Sequence, residues 1–221
     1  MYKSKYAAAI AALVALASPA SATVLLSQLP SAAGGGVVSS PINGGGSAHS
    51  FDDFKLAANS TISSITWFGE SLSGGTSFTI GFSTDASQFF PSTTPFVSQS
   101  VTPTITSFAS GIDQFTATLA TPISLEGGTD LWITIFDPSG FFWVWDRATD
   151  APSPGALPSG IAATEEADGS VLLQGLDLAF TLDGDVALPE PGMLAMLGFG
   201  LTAIAWFRRR GRLQSGDARM A

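Results

Sequence analysis

An all-β domain, an antiparallel β-sandwich of jelly-roll type, is predicted for residues 23–187 of this 221-residue chain by three observations. Apolar and polar residues alternate with period two in several short segments that are rich in β-branched and aromatic residues. Clusters of Gly, Pro, Ser and Asp separate those segments, as turns require. No helical periodicity of about ten residues or more runs through the same region. Numerous short strands in a domain well above about 100 residues favour a jelly-roll over an immunoglobulin-like sandwich. A signal peptide precedes the domain and one transmembrane helix follows it.

The elements follow in chain order. Lys3 and Lys5 form a basic start, Ala7 to Ala17 an apolar run, and Ala20-Ser21-Ala22 a small-residue cleavage site. Residues 1–22 therefore read as a secretory signal peptide, with Thr23 the first mature residue. A strand is expected around Val24 to Leu29. Gly34-Gly35-Gly36 and Gly44-Gly45-Gly46 make residues 23–50 partly flexible. From Thr61 to Phe68, alternation puts Ile65 and Trp67 on one face and Ile62, Thr66 and Phe68 on the other. Phe78, Ile80 and Phe82 alternate with Thr79 and Gly81, and Phe115, Ala117 and Leu119 with Thr116 and Thr118. Leu131, Ile133 and Ile135 alternate with Trp132, Thr134 and Phe136. Phe141, Trp143 and Trp145 share one face of a further strand, and Leu178, Phe180 and Leu182 one face of the last. Turns are signalled by Ser73-Gly74-Gly75, Glu126-Gly127-Gly128 and Asp137-Pro138-Ser139-Gly140.

Beyond Leu188 the composition changes. Pro189-Glu190-Pro191 is extended, because each X-Pro bond disfavours helix in the residue before it. Gly192 to Phe207 are sixteen uncharged residues, about 24 Å of helix at about 1.5 Å per residue. That is slightly short of a bilayer core of about 30 Å. Trp206 falls at the interface, and Arg208-Arg209-Arg210 mark the cytoplasmic side. Tripeptide, short helix rich in Gly, Ala and Leu, and Arg cluster occur in that order, and together they resemble the PEP-CTERM sorting signal of Gram-negative bacteria. Residues 188–212 would form that signal and 213–221 a cytoplasmic tail, which runs longer past the arginines than such signals usually do. The resemblance implies export across the inner membrane, an exosortase and the secretion machinery as partners, and a membrane-anchored precursor. Processing near Pro189-Glu190-Pro191 would then deliver the domain to the cell surface or extracellular matrix. The texture Asp52-Asp53-Phe54, Ile62 to Gly69, Phe78 to Phe82 and Phe141-Phe142-Trp143 also resembles a β-sandwich module of secreted bacterial proteins with this tail. No activity comes with that resemblance.

Charge separates the ends from the middle. Seven of the nine Lys and Arg lie in the two targeting segments, leaving Lys55 and Arg147 between Thr23 and Pro189. Sixteen acids lie in the same stretch, for a net charge of about −14, steeper than the −9 of the whole chain. Such a domain is a poor ligand for nucleic acid or an anionic membrane surface, since phosphate binding needs Lys and Arg. It suits solubility outside the cell, divalent cations, or a polyanionic matrix crosslinked by them. Cysteine is absent, so stability rests on packing alone.

Few residue patterns carry chemistry. His49 is the lone histidine and stands in a Gly/Ser-rich segment, without a nucleophile motif nearby, so it reads as a solvated loop residue. Zinc would need a His/Cys cluster. Two carboxylates suffice for a glycosidase, but spacing nominates no pair. Calcium takes oxygen ligands, and Asp52, Asp53, Asp183 and Asp185 are its candidates, with Glu165-Glu166-Ala167-Asp168-Gly169 a further oxygen-rich loop; solvated turn acids are the alternative. Phe141, Trp143 and Trp145 are candidates for stacking on sugar rings, although core packing is the favoured reading; Trp67 and Trp132 pose the same choice. No catalytic residue and no cofactor is expected, apart from structural calcium. The expectation is an exported, non-enzymatic, acidic β-sandwich protein with exopolysaccharide as a candidate partner. The rivals are a carbohydrate-binding matrix adhesin and a secreted glycosidase.

Overall fold

The computed structural model describes residues 22–187, except 32–33, 43–45, 72–76, 88–89, 141 and 150–160, together with residue 200. The expected signal peptide up to residue 21, the Pro189-Glu190-Pro191 motif, the apolar run after it apart from Gly200, and Arg208-Arg209-Arg210 lie outside these residues, as does Phe141. Among the described residues no helix is long and apolar enough to cross a membrane. Among the described residues of the first compact unit, Met1–Val186, all regular structure is β.

Two seven-stranded antiparallel sheets carry the fold. The first contains β1 (Thr23–Gln28), β2 (Gly36–Val38), β6 (Ser60–Ser71), β10 (Thr104–Ala109), β11 (Ile112–Leu125), β13 (Trp143–Asp146) and β16 (Phe180–Val186). Its order is β1-β16-β6-β11-β10, and β13 joins β6 to β2. The second contains β5 (His49–Phe54), β7 (Phe78–Ser87), β8 (Phe90–Pro91), β9 (Val97–Val101), β12 (Leu131–Phe136), β14 (Ala162–Glu165) and β15 (Val171–Gln174). It runs β15-β14-β5-β12-β7-β8, with β9 also on β7. A small ribbon pairs β3 (Pro41–Ile42) with β4 (Gly46–Ser47).

The inner faces meet in one core, as in a sandwich. Phe78, Ile80 and Phe82 of β7 and Leu131, Ile133 and Ile135 of β12 pack with Phe115 and Ala117 of β11 and Phe180 and Leu182 of β16. Alternation in the sequence assigns these residues to the core, and the structure agrees. Aromatic rings cross between the sheets: Trp67 meets Phe78 edge-on with centroids 5.2 Å apart, and Phe78 meets Trp143 at 5.2 Å. Phe54 and Phe180 close the other end of the core at 6.0 Å. Each such pair adds about 0.5–1.5 kcal/mol beyond burial.

One assignment by parity fails in β6. Ile62 was expected on the face opposite Ile65 and Trp67, yet all three are buried in the same core. Ser64 pairs with Asp183 and Ile62 with Gly184, so Ser63 is an extra residue against β16. The register with β11 shifts at the same place, from Thr118 opposite Ser64 to Ile123 opposite Ile62. A bulge of this kind resets which residues face inward.

The Gly-rich segment expected to be partly flexible supplies β2 and two clamping serines. Ser39 Oγ donates to Ile135 O at 2.6 Å and accepts from Ser50 N at 3.1 Å, both in the second sheet. In the first sheet, Ser39 N donates to Trp143 O at 3.2 Å and Trp143 N donates to Ser40 Oγ at 3.1 Å. Gly36 is required where β2 meets β13, since a Cβ there would sit 1.8 Å from Trp145 O.

Candidate metal centre and the placement of the candidate residues

The acids expected to bind calcium divide. Asp52 and Asp53 of β5 come together with Asp177, which precedes β16, and one carboxylate oxygen from each lies within 4.8 Å of the others. Asp183 and Asp185 are not part of this group; both sit in β16, opposite Ser64 and Thr61. The remaining oxygen-rich loop is the β14–β15 turn. Asp168 Oδ1 accepts from Ser170 N at 2.9 Å and from Ser170 Oγ at 2.6 Å, and Gly169 takes a left-handed φ of 81°. Those bonds hold the Asp168 carboxyl below its usual pKa, as expected of a turn acid.

Asp52 has the most unusual surroundings. It is 0% exposed and shares the strand face of Phe54, between Ile133 of β12 and Ala162 of β14. Gln28, at the end of β1, turns its amide so that Nε2 donates to Asp52 Oδ2 at 2.9 Å and to Leu178 O at 2.6 Å. Asp52 Oδ1 has no hydrogen-bond partner among the described residues. Burial raises the Asp52 pKa well above the usual carboxylate range; Asp177 and Asp53 push the same way, and the Leu178 backbone draws it partly back. Three hard oxygen donors at this spacing fit a divalent cation such as calcium.

A second buried acid lies at the end of β13. Asp146 is fully buried, and neither carboxylate oxygen has a hydrogen-bond partner among the described residues. Burial, with Glu70 adding like charge, raises its pKa to about 7. His49 is not the solvated loop residue expected. It opens β5, half-buried, with its ring stacked on Phe136 at 4.0 Å and 10°. Burial lowers its pKa, against an opposing pull from Glu165 opposite it in β14.

Of the sugar-stacking candidates, Trp143 and Trp145 are each 0% exposed. They offer no ring face to a ligand, so of the two readings core packing holds for them and sugar stacking does not. The reason is parity: β13 runs along the Gly69–Ser71 end of β6, where its odd-numbered positions face inward. Trp145 Nε1 donates to Ala179 O at 3.0 Å, and its ring neighbours Phe180. Gly69 makes room for Trp143, because a Cβ there would lie 2.7 Å from Trp143 Nε1 and 2.4 Å from Val144 O. Trp67 is buried in the same core, and Trp132 lies under the outer face of the second sheet with Phe51 and Ala163.

Reading the sequence missed Gln28 and Asp177. Each is an isolated polar residue whose environment is made by distant strands, so no local pattern marks it.

A family model for the PEP-CTERM protein-sorting motif matches residues 187–210. No curated protein and no solved structure matches the chain.

Proposed function

We propose that this chain, which carries a PEP-CTERM sorting motif at residues 187–210, is an exported, non-enzymatic protein whose jelly-roll-like β-sandwich is the delivered cargo. The motif match is the observation that carries this reading. It implies export, a membrane-anchored sorting signal and processing by an exosortase. In the proposed scheme Pro189-Glu190-Pro191 is presented to the exosortase, the apolar run from Met193 to Phe207 holds it at the membrane boundary, and Arg208-Arg209-Arg210 fix the orientation. Cleavage then frees the acidic domain for the cell surface or the extracellular polysaccharide matrix. An acidic domain with two basic residues would remain soluble there, and divalent ions would mediate its contact with an anionic polysaccharide.

Mass spectrometry of the exported protein's C-terminus tests the scheme. The expected mature chain lacks Arg208 to Ala221; recovery of that segment on the exported form overturns processing. The carbohydrate-binding alternative loses support from the burial of Trp143 and Trp145.

A further inference from the structure

We propose that Asp52, Asp53 and Asp177 form a calcium site that ties the two sheets together. Oxygens within 4.8 Å of one another can all lie at the calcium–oxygen distance of about 2.3–2.6 Å from a single ion. The buried Asp52 supplies a second, separate indication. Gln28 occupies its Oδ2, while Oδ1 is sealed from solvent without a hydrogen bond among the described residues. A buried carboxylate must be neutralised by a proton, a cationic side chain or a metal. Neither base of the region acts on Asp52: Lys55 is bonded to Asp130 at 2.8 Å, and Arg147 is exposed.

The donors select the metal class. All are carboxylate oxygens, and the chain has no cysteine, which disfavours soft metals. Magnesium demands a near-ideal octahedron and keeps most of its water, whereas calcium accepts irregular sets of 6–8 oxygens at ligand counts of about that size. The ligands come from both halves of the sandwich. Asp52 and Asp53 belong to β5 in the second sheet, while Asp177 and Gln28 flank β16 and end β1 in the first. Bound calcium would therefore join them as a disulfide might in another exported domain.

Isothermal titration of calcium chloride into the full chain, held in detergent and stripped with a chelator that is then removed, tests the site. One calcium per chain is expected, with a Kd in the range of about 10⁻⁴–10⁻³ M common to extracellular sites, and a higher melting temperature with calcium than without. Asp53→Asn and Asp177→Asn should each weaken binding by roughly tenfold or more, since each removes one charge and one strong ligand. If Asp177→Asn does not fold, Asp53→Asn carries the test. Terbium gives an independent readout: Trp132 lies directly across from Asp53, so tryptophan excitation should sensitise terbium emission that calcium quenches. Absence of calcium binding and of sensitised emission in the wild type would overturn the site and leave a protonated Asp52. Wild-type affinity in both variants would overturn it too, by placing the ion elsewhere. Preferential binding of magnesium over calcium would overturn the choice of metal.

Discussion

Asp146 shows how a single buried residue contributes to the pH response of the domain. Its folded pKa of about 7 lies above the ordinary value of 3.8, so between those values the native state holds a proton that the unfolded chain releases. Linkage fixes the sign: this contribution is fully present below about pH 4 and is lost as pH rises through about 7. The slope should be no more than about 1 kcal/mol per pH unit, allowing for solvent screening. Asp146→Asn removes the titration while keeping the shape. Urea denaturation from pH 4.5 to 7.5 should show the variant gaining on the wild type as pH rises; a constant difference would mean that Asp146 is not the titrating group. His49 acts in the opposite direction. Its lowered pKa favours the neutral ring, so its contribution is present above the ordinary 6.5 and lost as pH falls. Comparing variant with wild type cancels the histidine and isolates the aspartate.

At the scale of strands, the serine clamp between β2 and the ribbon shows what joins the sheets besides apolar packing. Ser39 bonds through its hydroxyl to Ile135 and Ser50 in one sheet and through its amide to Trp143 in the other, with no exposure to water. Ser39→Ala leaves the Ser50 amide without its acceptor in a buried place. A loss of about 1–3 kcal/mol is expected, read as a lower urea midpoint with unchanged m-value. Loss below about 0.5 kcal/mol would show that water replaces the hydroxyl. The core strands were legible because Phe78 to Phe82, Leu131 to Ile135 and Leu178 to Leu182 place every second residue in the core shared by the two sheets, and that choice of face writes itself as period two. The strand β10 was not, because it is an edge whose residues are all exposed, so nothing selects alternation. Ile62 was misplaced for another reason: the Ser63 bulge is recorded in pairing with β11 and β16, not in residue type. The acid cluster was half legible. Asp52 and Asp53 are neighbours in sequence, whereas Asp177 arrives only through the packing of the two sheets.

For the whole molecule, folding and delivery are assigned to different parts of the chain. The last residue of the main core is Leu182 and the last strand ends at Val186, immediately before the residues matched by the sorting motif. Substitutions in Pro189-Glu190-Pro191 therefore leave every described core residue unchanged. Replacing Pro189 and Pro191 with Ala also lifts the barrier to helix ahead of the apolar run, since proline holds its predecessor extended and supplies no amide donor. The double variant should accumulate as an unprocessed membrane-bound chain that keeps Arg208 to Ala221. Its sandwich should retain the wild-type urea midpoint within about 0.5 kcal/mol, the usual range for substitutions remote from the core. Fractionation with C-terminal mass spectrometry reads the first effect and denaturation of the detergent-extracted chain the second. Normal trimming in the variant would refute recognition through the two prolines, whereas a shifted midpoint would refute the separation of sorting from folding. The charge distribution follows the same division. Seven of the nine bases lie in the two end segments, so the proposed trimming of both ends would take away most of the positive charge and leave a strongly acidic domain.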